Sequence, residues 1–164
     1  AGAWMIFLNR TCFNGLYRVN KAGKFNVPFG KHKHPTICDE ETLRACSRAL
    51  QGVEIRHQDF RRAFNAVDAS DFVYCDPPYV PVSATSAFTA YTEGGFTDKS
   101  QRDLRDAALE ARARGAHVLL SNSATPVVED MYGGGAFVLD RVSARRNVNS
   151  KGAARGPVGE YLIR

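Results

Sequence analysis

The chain has no CxxC pair among its four cysteines, no apolar run approaching a membrane span, and no acidic residue in its first 38 positions. The first absence removes zinc ribbons and dithiol redox motifs. Cys12, Cys38, Cys46 and Cys75 read instead as reduced thiols, two of them within apolar strand or helix patterns. That points to an intracellular, cytoplasmic protein. The second absence argues against a membrane partner: "AGAWMIFL" (1–8) is too short to span, and no basic segment precedes it as in a secretory signal. No internal repeat is visible.

The third absence is one of placement. The net charge is only +5. Residues 1–38 hold six Lys/Arg and no acid, residues 141–164 hold six and only Glu160, and the body between is acidic. Basic ends around an acidic middle suit a polyanion, or are simply solvated; charge alone leaves both open. What is present is a foldable composition: 44% hydrophobic and 24% charged residues over 164 positions, enough for a buried core.

Periodicity predicts a helix over 3–12 and an Asn14-Gly15 turn. Two short strands follow, Leu16 to Asn20 and Phe25 to Phe29, joined by a turn over Lys21 to Lys24 with Gly23 at φ > 0. Asp39 or Thr42 can cap a helix running to Leu50, stopped at Gly52. A strand "VEIRH" (53–57), a helix near 60–67 and a strand 72–75 come next. A Ser/Thr/Gly/aromatic loop spans 80–97, and a helix capped by Thr97 or Asp98 runs to Arg114 and is closed by Gly115. A strand at 117–121, a helix from Thr125-Pro126 to Tyr132 and strands at 136–143 and 158–163 complete the chain, with "RRNVNSKGAARG" as a loop between the last two. Alternating strands and helices give an α/β fold with a mainly parallel sheet and an antiparallel addition at one edge. "YGGGAF" (132–137) reads as a turn, and His57 and His117 as structural strand residues.

One stretch carries chemistry, "FVYCDPPYVP" (72–81). A buried-strand pattern stops abruptly at two prolines, leaving a stiff elbow at the carboxyl end of a strand, where open α/β sheets bind ligands. A carboxylate (Asp76), a proline carbonyl (Pro77) and a ring (Tyr79) suit a planar base bearing an amino group. The two acceptors take hydrogen bonds from the amine, Tyr79 stacks on the ring, and Pro77 and Pro78 contribute no competing N–H. Two acceptors also free the nitrogen lone pair to attack a methyl group, a reaction that needs mostly alignment. A plain structural turn is the alternative. Cys75 beside it reads as a small buried thiol, since methylation of an exocyclic amine needs no covalent intermediate. Ser121-Asn122-Ser123 either lines this pocket or forms a turn. "KHKH" (31–34) lacks the partners of a metal site and reads as a basic exit from the hairpin.

The elbow, together with "FLNRTCFNGLYRVNKAGKFNVPFG", "FTAYTEGGFT", "LLSN" and the closing "RRNV…EYLI", resembles the Dam-type N6-adenine DNA methyltransferases over nearly the whole chain. The resemblance implies a Rossmann-like class I methyltransferase sheet, S-adenosylmethionine as cofactor and double-stranded DNA as partner. It makes Asp76, Pro77, Pro78 and Tyr79 the catalytic pocket. Asp59, Phe60 and Asp76 become the cofactor contacts, although a capping or core role fits the Asp59-Phe60 pair equally. It also assigns the hairpin. Phe13 fills the space of a flipped adenine, Asn14 lies by the orphaned thymine, and Leu16 and Pro28 meet thymine methyls. Arg18 grips a guanine edge, and Asn20, Lys31 and His32 fall at phosphate or outer contacts.

Lys31 and His32 stand where the best-known members carry arginine and tyrosine, which leaves the outer edge of recognition open. The family's glycine-rich donor loop and amino-terminal lysine segment are also absent. The expectation is therefore part of a DNA target-recognition domain (1–38) joined to the carboxyl-terminal part of a catalytic domain (39–164). Methyl transfer at a GATC-like site by base flipping is the first reading. A DNA-binding remnant, or half of a split enzyme completed by an amino-terminal segment in trans, is the second. Methylation of RNA or another amine is the third, and the DNA-type hairpin argues against it.

Overall fold

The computed structural model describes residues 2–20, 22–82, 95–145 and 157–164. The resemblance-bearing segment "FTAYTEGGFT", most of the loop expected at 80–97 and the "RRNVNSKGAARG" loop lie largely outside the described residues. The chain divides into two compact units, Ala1–Arg56 and His57–Arg164.

The first unit opens with helix α1 (Gly2–Thr11), where the 3–12 pattern places it. Asn14 and Gly15 both adopt positive φ, 54° and 63°, and turn the chain back through a single 3-10 turn, Phe13–Gly15. Asparagine and glycine are the residues that tolerate this region. The expected strands 16–20 and 25–29 are not regular strands. The ribbon is held by two isolated bridges, Cys12 with Phe29 and Val19 with Phe25. Pro28 has no N–H to give to a ladder, and the pairing is accordingly sparse. The ribbon's tip closes through Asn20 N to Lys24 O at 2.9 Å, with Gly23 at φ 72° as expected. Helix α2 (Glu40–Ala49) follows, and Asp39 rather than Thr42 is its cap, accepting from Thr42 N at 3.1 Å.

Residues 53–57 are a correction. Among the described residues they pair with no strand, and Val53 and Ile55 are exposed. Alternation decides which face a side chain takes; a strand also needs a neighbour to bond. His57 is therefore not a strand residue.

The second unit is a four-stranded mixed sheet in the order β1-β2-β4-β3, built from β1 (Phe72–Cys75), β2 (His117–Ser123), β3 (Leu139–Arg145) and β4 (Pro157–Ile163). Strands β1 and β2 are parallel, Val73 opposite Val118 and Cys75 opposite Leu120. Strand β4 runs antiparallel to both β2 and β3. The sheet is thus less parallel than the alternation suggested, with one parallel pair and two antiparallel ones. The expected edge addition is present, and β4, not β3, joins it to the rest.

Three helices pack here: α3 (Phe60–Phe64), α4 (Asp98–Ala113) and α5 (Pro126–Tyr132). Helix α3 stops three residues short of the expected end. Helix α4 starts at a Thr97 cap whose Oγ1 accepts from Ser100 N at 3.2 Å. It buries the stripe Gln101, Leu104, Ala108 and Ala111. Gly115 ends it at φ 99°, where a Cβ would sit 2.9 Å from the Ala69 methyl, so both torsion and space require glycine. Leu104, Leu120, Val128, Met131, Tyr132 and Ile163 form the centre of the core. Strand β3 begins at Leu139 rather than 136 because Phe137 turns inward, edge-on to Tyr132 at 5.2 Å. Gly133 to Gly135 make the turn expected of "YGGGAF".

Candidate active site

The elbow begins where β1 stops. Asp76 is exposed, and Pro77 to Val80 are half-buried. Because Cys75 is level with Leu120, Asp76 comes level with Ser121 on the neighbouring strand. The Ser121 hydroxyl donates to Asp76 Oδ1 at 3.0 Å and accepts from Tyr74 Oη at 3.2 Å. One carboxylate oxygen is thereby oriented by the sheet, and the other, which has no partner among the described residues, can accept from a ligand. Burial raises the Tyr79 phenol above its ordinary value. Ser121 pulls the other way, and the Glu160 and Asp76 carboxylates add to the rise. Tyr79 therefore stays neutral at pH 7. Burial also pushes the Cys75 thiol up to about 11, so it is no nucleophile.

A cavity of about 610 Å³ opens beside the elbow, lined by Asp59, Phe60, Tyr74, Asp76, Pro77, Pro78 and Phe96 among others. It lies between the end of β1, the first turn of α3 and the start of α4. Tyr79 is not among its described lining residues, so the tyrosine and the cavity are distinct parts of the site. Asp59 caps α3, accepting from Arg61 N at 2.9 Å, and pairs with the Arg61 guanidinium at 3.0 Å. The α3 backbone N–H, followed by Arg61 and Arg62, holds its carboxyl below the usual range. Arg61 also bridges to Asp103 and lies 4.5 Å over the Phe60 ring. Phe60 meets Phe96 at 5.9 Å. Two carboxylates, Asp59 and Asp76, and four rings, Phe60, Phe64, Tyr74 and Phe96, therefore share one cavity of a size usual for small-molecule sites.

The ribbon of the first unit carries the other expected residues. Phe13 is 45% exposed and donates its backbone N–H to Pro28 O at 2.9 Å, which brings the two together. Asn14, Leu16 and Arg18 are all exposed. Arg18 is restrained by Asn26: Nε donates to Asn26 Oδ1 at 2.8 Å and Nη2 to Asn26 O at 2.9 Å. The Asn20 carboxamide oxygen is committed to the turn, accepting from Ala22 N and Lys24 N at 3.0 Å each. Lys31 is exposed, whereas the His32 ring turns back, with Nε2 3.1 Å from Cys12 O. Tyr17 and Phe25 meet across the ribbon with ring centroids 5.9 Å apart and planes tilted by 50°.

The model of the D12 class N6 adenine-specific DNA methyltransferase family matches residues 3–148, taking in both the ribbon and the elbow. The chain belongs to that family. A type II methyltransferase of Lactococcus lactis subsp. cremoris is 40% identical over 163 residues, 98% of this chain and 57% of that protein. One from Methanocaldococcus jannaschii is 46% identical over 154 residues, 93% and 53% respectively. The DNA adenine methylase of Escherichia coli is 37% identical over 157 residues, 96% and 55%. The chain thus spans about half the length of these curated relatives. Membership implies a Rossmann-like fold, with which the mixed α/β sheet agrees. No helix among the described residues is long and apolar enough to cross a membrane.

Of the two alternatives open for Ser121-Asn122-Ser123, lining the site holds, since Ser121 reaches Asp76, and a turn does not: all three are buried at the end of β2. Sequence reasoning misses Gln101, which is only 3% exposed and donates to Pro78 O at 2.7 Å. Its signal was available: a carboxamide occupying a core position of the α4 stripe, one turn before Leu104.

Proposed function

We propose that this chain provides the catalytic pocket and DNA-reading ribbon for methyl transfer from S-adenosylmethionine to the exocyclic N6 of adenine in double-stranded DNA, at a GATC-like site, by base flipping. Residues 1–38 belong to the target-recognition part and 39–164 to the catalytic part. The observation that carries this reading is the convergence of Asp76, held by Ser121, with Pro77, Pro78 and the cavity bearing Asp59 and Phe60.

Each residue has a role in its own right. Asp76 and the Pro77 carbonyl accept hydrogen bonds from the adenine amine, which localises its lone pair on nitrogen. Tyr79 stacks on the extruded base. The donor suits the cavity, whose carboxylates complement a cation and whose rings can face an adenine; bound there, it supplies an electrophilic methyl group. Asp59, Phe60 and Asp76 would hold it. On the ribbon, Phe13 occupies the gap left by the flipped base and Asn14 lies beside the orphaned thymine. Leu16 and Pro28 contact thymine methyls, Arg18 reads guanine, and Asn20, Lys31 and His32 make backbone or outer contacts.

The test is transfer of labelled methyl from the donor to GATC duplexes, wild type against Asp76→Ala, with duplex binding measured in parallel. Loss of transfer with binding retained is expected; near-normal turnover in Asp76→Ala would overturn the chemistry. A second reading is favoured by the half-length coverage of the relatives. In it the chain is a catalytically incomplete remnant that reads DNA but cannot hold the donor alone, or one half of a split enzyme completed by another segment. Calorimetry with S-adenosylmethionine separates the two, since only the first gives a heat of specific binding.

A further inference from the structure

We propose that Gln101 and Asn122 form a buried pair of positioning residues that fixes the peptides on either side of Tyr79, and so sets the shape of the elbow for methyl transfer. The catalytic part of this inference rests on the function proposed above.

Among the described residues the elbow has little else to hold it. Pro77 and Pro78 fix two φ angles, and Pro78 also confines the ψ of Pro77, but the ψ of Pro78 stays open and neither has an N–H to bond. The Pro78 ψ aims the peptide entering Tyr79. That carbonyl is taken by Gln101 Nε2 at 2.7 Å. The peptide leaving Tyr79 is taken by Asn122, whose Oδ1 accepts from Val80 N at 2.9 Å. The two amides are joined, Asn122 Nδ2 donating to Gln101 Oε1 at 3.1 Å. Ser123 extends the hold, its Oγ donating to Val80 O at 2.6 Å. Helix α4 and strand β2 thus grip the Tyr79 backbone from both ends.

The amide orientations are settled by the network itself. Asn122 Oδ1 faces two backbone donors, Val80 N and Ser123 N, each at 2.9 Å. Reversing that amide would set NH2 against N–H. Reversing Gln101 would set its oxygen against the Pro78 carbonyl. Only one arrangement satisfies every group, and it is the one that pins the elbow.

Burial makes the pair unlike ordinary packing. Gln101 is 3% and Asn122 1% exposed. Placing two carboxamides in a core carries a desolvation cost that a leucine and an alanine would avoid. What carboxamides add is direction, which apolar contact lacks. Asp76 has a further restraint in Ser121, the residue before Asn122 on β2, so the same strand end orients both reactive parts of the elbow.

The test uses Gln101→Met, which keeps length and removes polarity, and Gln101→Glu, which keeps the acceptor for Asn122 but loses the donor to Pro78. Both are compared with Asn122→Ala and the Gln101→Met/Asn122→Ala double variant. Two quantities are read on the 164-residue chain, with any completing segment the activity needs added to wild type and variants alike. The first is kcat per folded molecule; the second is hydrogen exchange at the Val80 amide, against Leu162 of the sheet as an internal reference. The expected result is a fall in kcat of at least tenfold, on the order of a hundredfold for an ångström-scale misplacement, with KM for donor and duplex unchanged. The double variant should lose no more than the worse single one. Val80 exchange should rise about tenfold in Asn122→Ala while Leu162 is unaffected.

A folded Gln101→Met with wild-type kcat overturns the proposal, as does unchanged Val80 exchange in Asn122→Ala. If no Gln101 variant keeps a cooperative unfolding transition, the pair is a folding element and the proposal is again overturned. If wild type itself transfers no methyl, the proposed function fails, and the Val80 exchange still decides whether the clamp exists.

Discussion

Replacing Arg18 is expected to erase preference at one base pair without greatly changing affinity for DNA at large. A guanidinium has five N–H donors. Asn26 occupies Nε–H and one Nη2–H, and no other described residue takes the two on Nη1 or the second on Nη2 at the end of the fork. Guanine offers O6 and N7, so the free end still makes a two-pronged contact, worth about 1–3 kcal/mol of discrimination. At roughly 1.4 kcal/mol per tenfold, Arg18→Ala should lower the preference by about 5- to 150-fold. Arg18→Lys keeps the charge but not the fork, and should lose most of that preference too. Asn26→Ala leaves the fork intact but unrestrained. Its cost is bounded by the rotamer entropy of an arginine, up to about 2 kcal/mol, and it should weaken discrimination less than Arg18→Ala. Lys31→Ala is the contrast, weakening all duplexes alike and flattening the salt dependence. Fluorescence anisotropy with GATC and singly substituted duplexes, over a salt series, reads all four. If Arg18→Ala weakens every duplex equally and reduces the salt slope, Arg18 is a phosphate contact and the reasoning fails.

Ser121→Ala removes a hydrogen bond to a charged carboxylate, worth about 1.5–3 kcal/mol; kcat should fall by roughly ten- to a hundredfold in the methyl-transfer assay while duplex binding holds. Tyr79→Ala should be milder than Asp76→Ala, losing roughly the 1–3 kcal/mol of one stacked base, read as 2-aminopurine fluorescence at the target position. Leu120→Ala, at a position 1% exposed in the central core, should destabilise by about 2–5 kcal/mol in urea unfolding. Lys99, then Arg61, holds the Asp103 carboxyl below its ordinary 3.8. A lowered folded pKa stabilises the ionised form, so this contribution is complete above pH 3.8 and is lost as pH falls through the lower folded value. Wild-type Tm should carry an acid-side decline below pH 3.8 that is shallower in Asp103→Asn.

What could be read without coordinates was local. Asp39, Thr97 and Thr125 cap helices through their own next few residues, and Gly115 and Gly23 answer to torsions that sequence neighbours impose. The DPPY elbow is visible for the same reason, since two prolines act on their immediate surroundings. Partnership was not visible. Val53 to His57 alternate like a strand but bond to none, and the ribbon has the turns of a hairpin with two bridges in place of ladders. Gln101 and Ser121 reach the elbow across 23 and 45 residues of chain. No local pattern announces such a contact. A polar residue in a core stripe announces only that some partner exists.

The parallel register of β1 on β2 has an evolutionary consequence in the arithmetic of insertion and deletion. Side chains in a strand alternate faces, so Asp76 meets Ser121 only while the count of residues from Phe72 keeps its parity. Deleting one residue within Phe72–Cys75 would invert the strand's faces and carry the carboxylate to the opposite side of the sheet. Deleting two would restore the face and slide the elbow by about 6.6 Å. Either change should be purged among active relatives, while single substitutions in the same four positions persist. Lineages that have lost the activity should be the ones in which length variation at this strand accumulates.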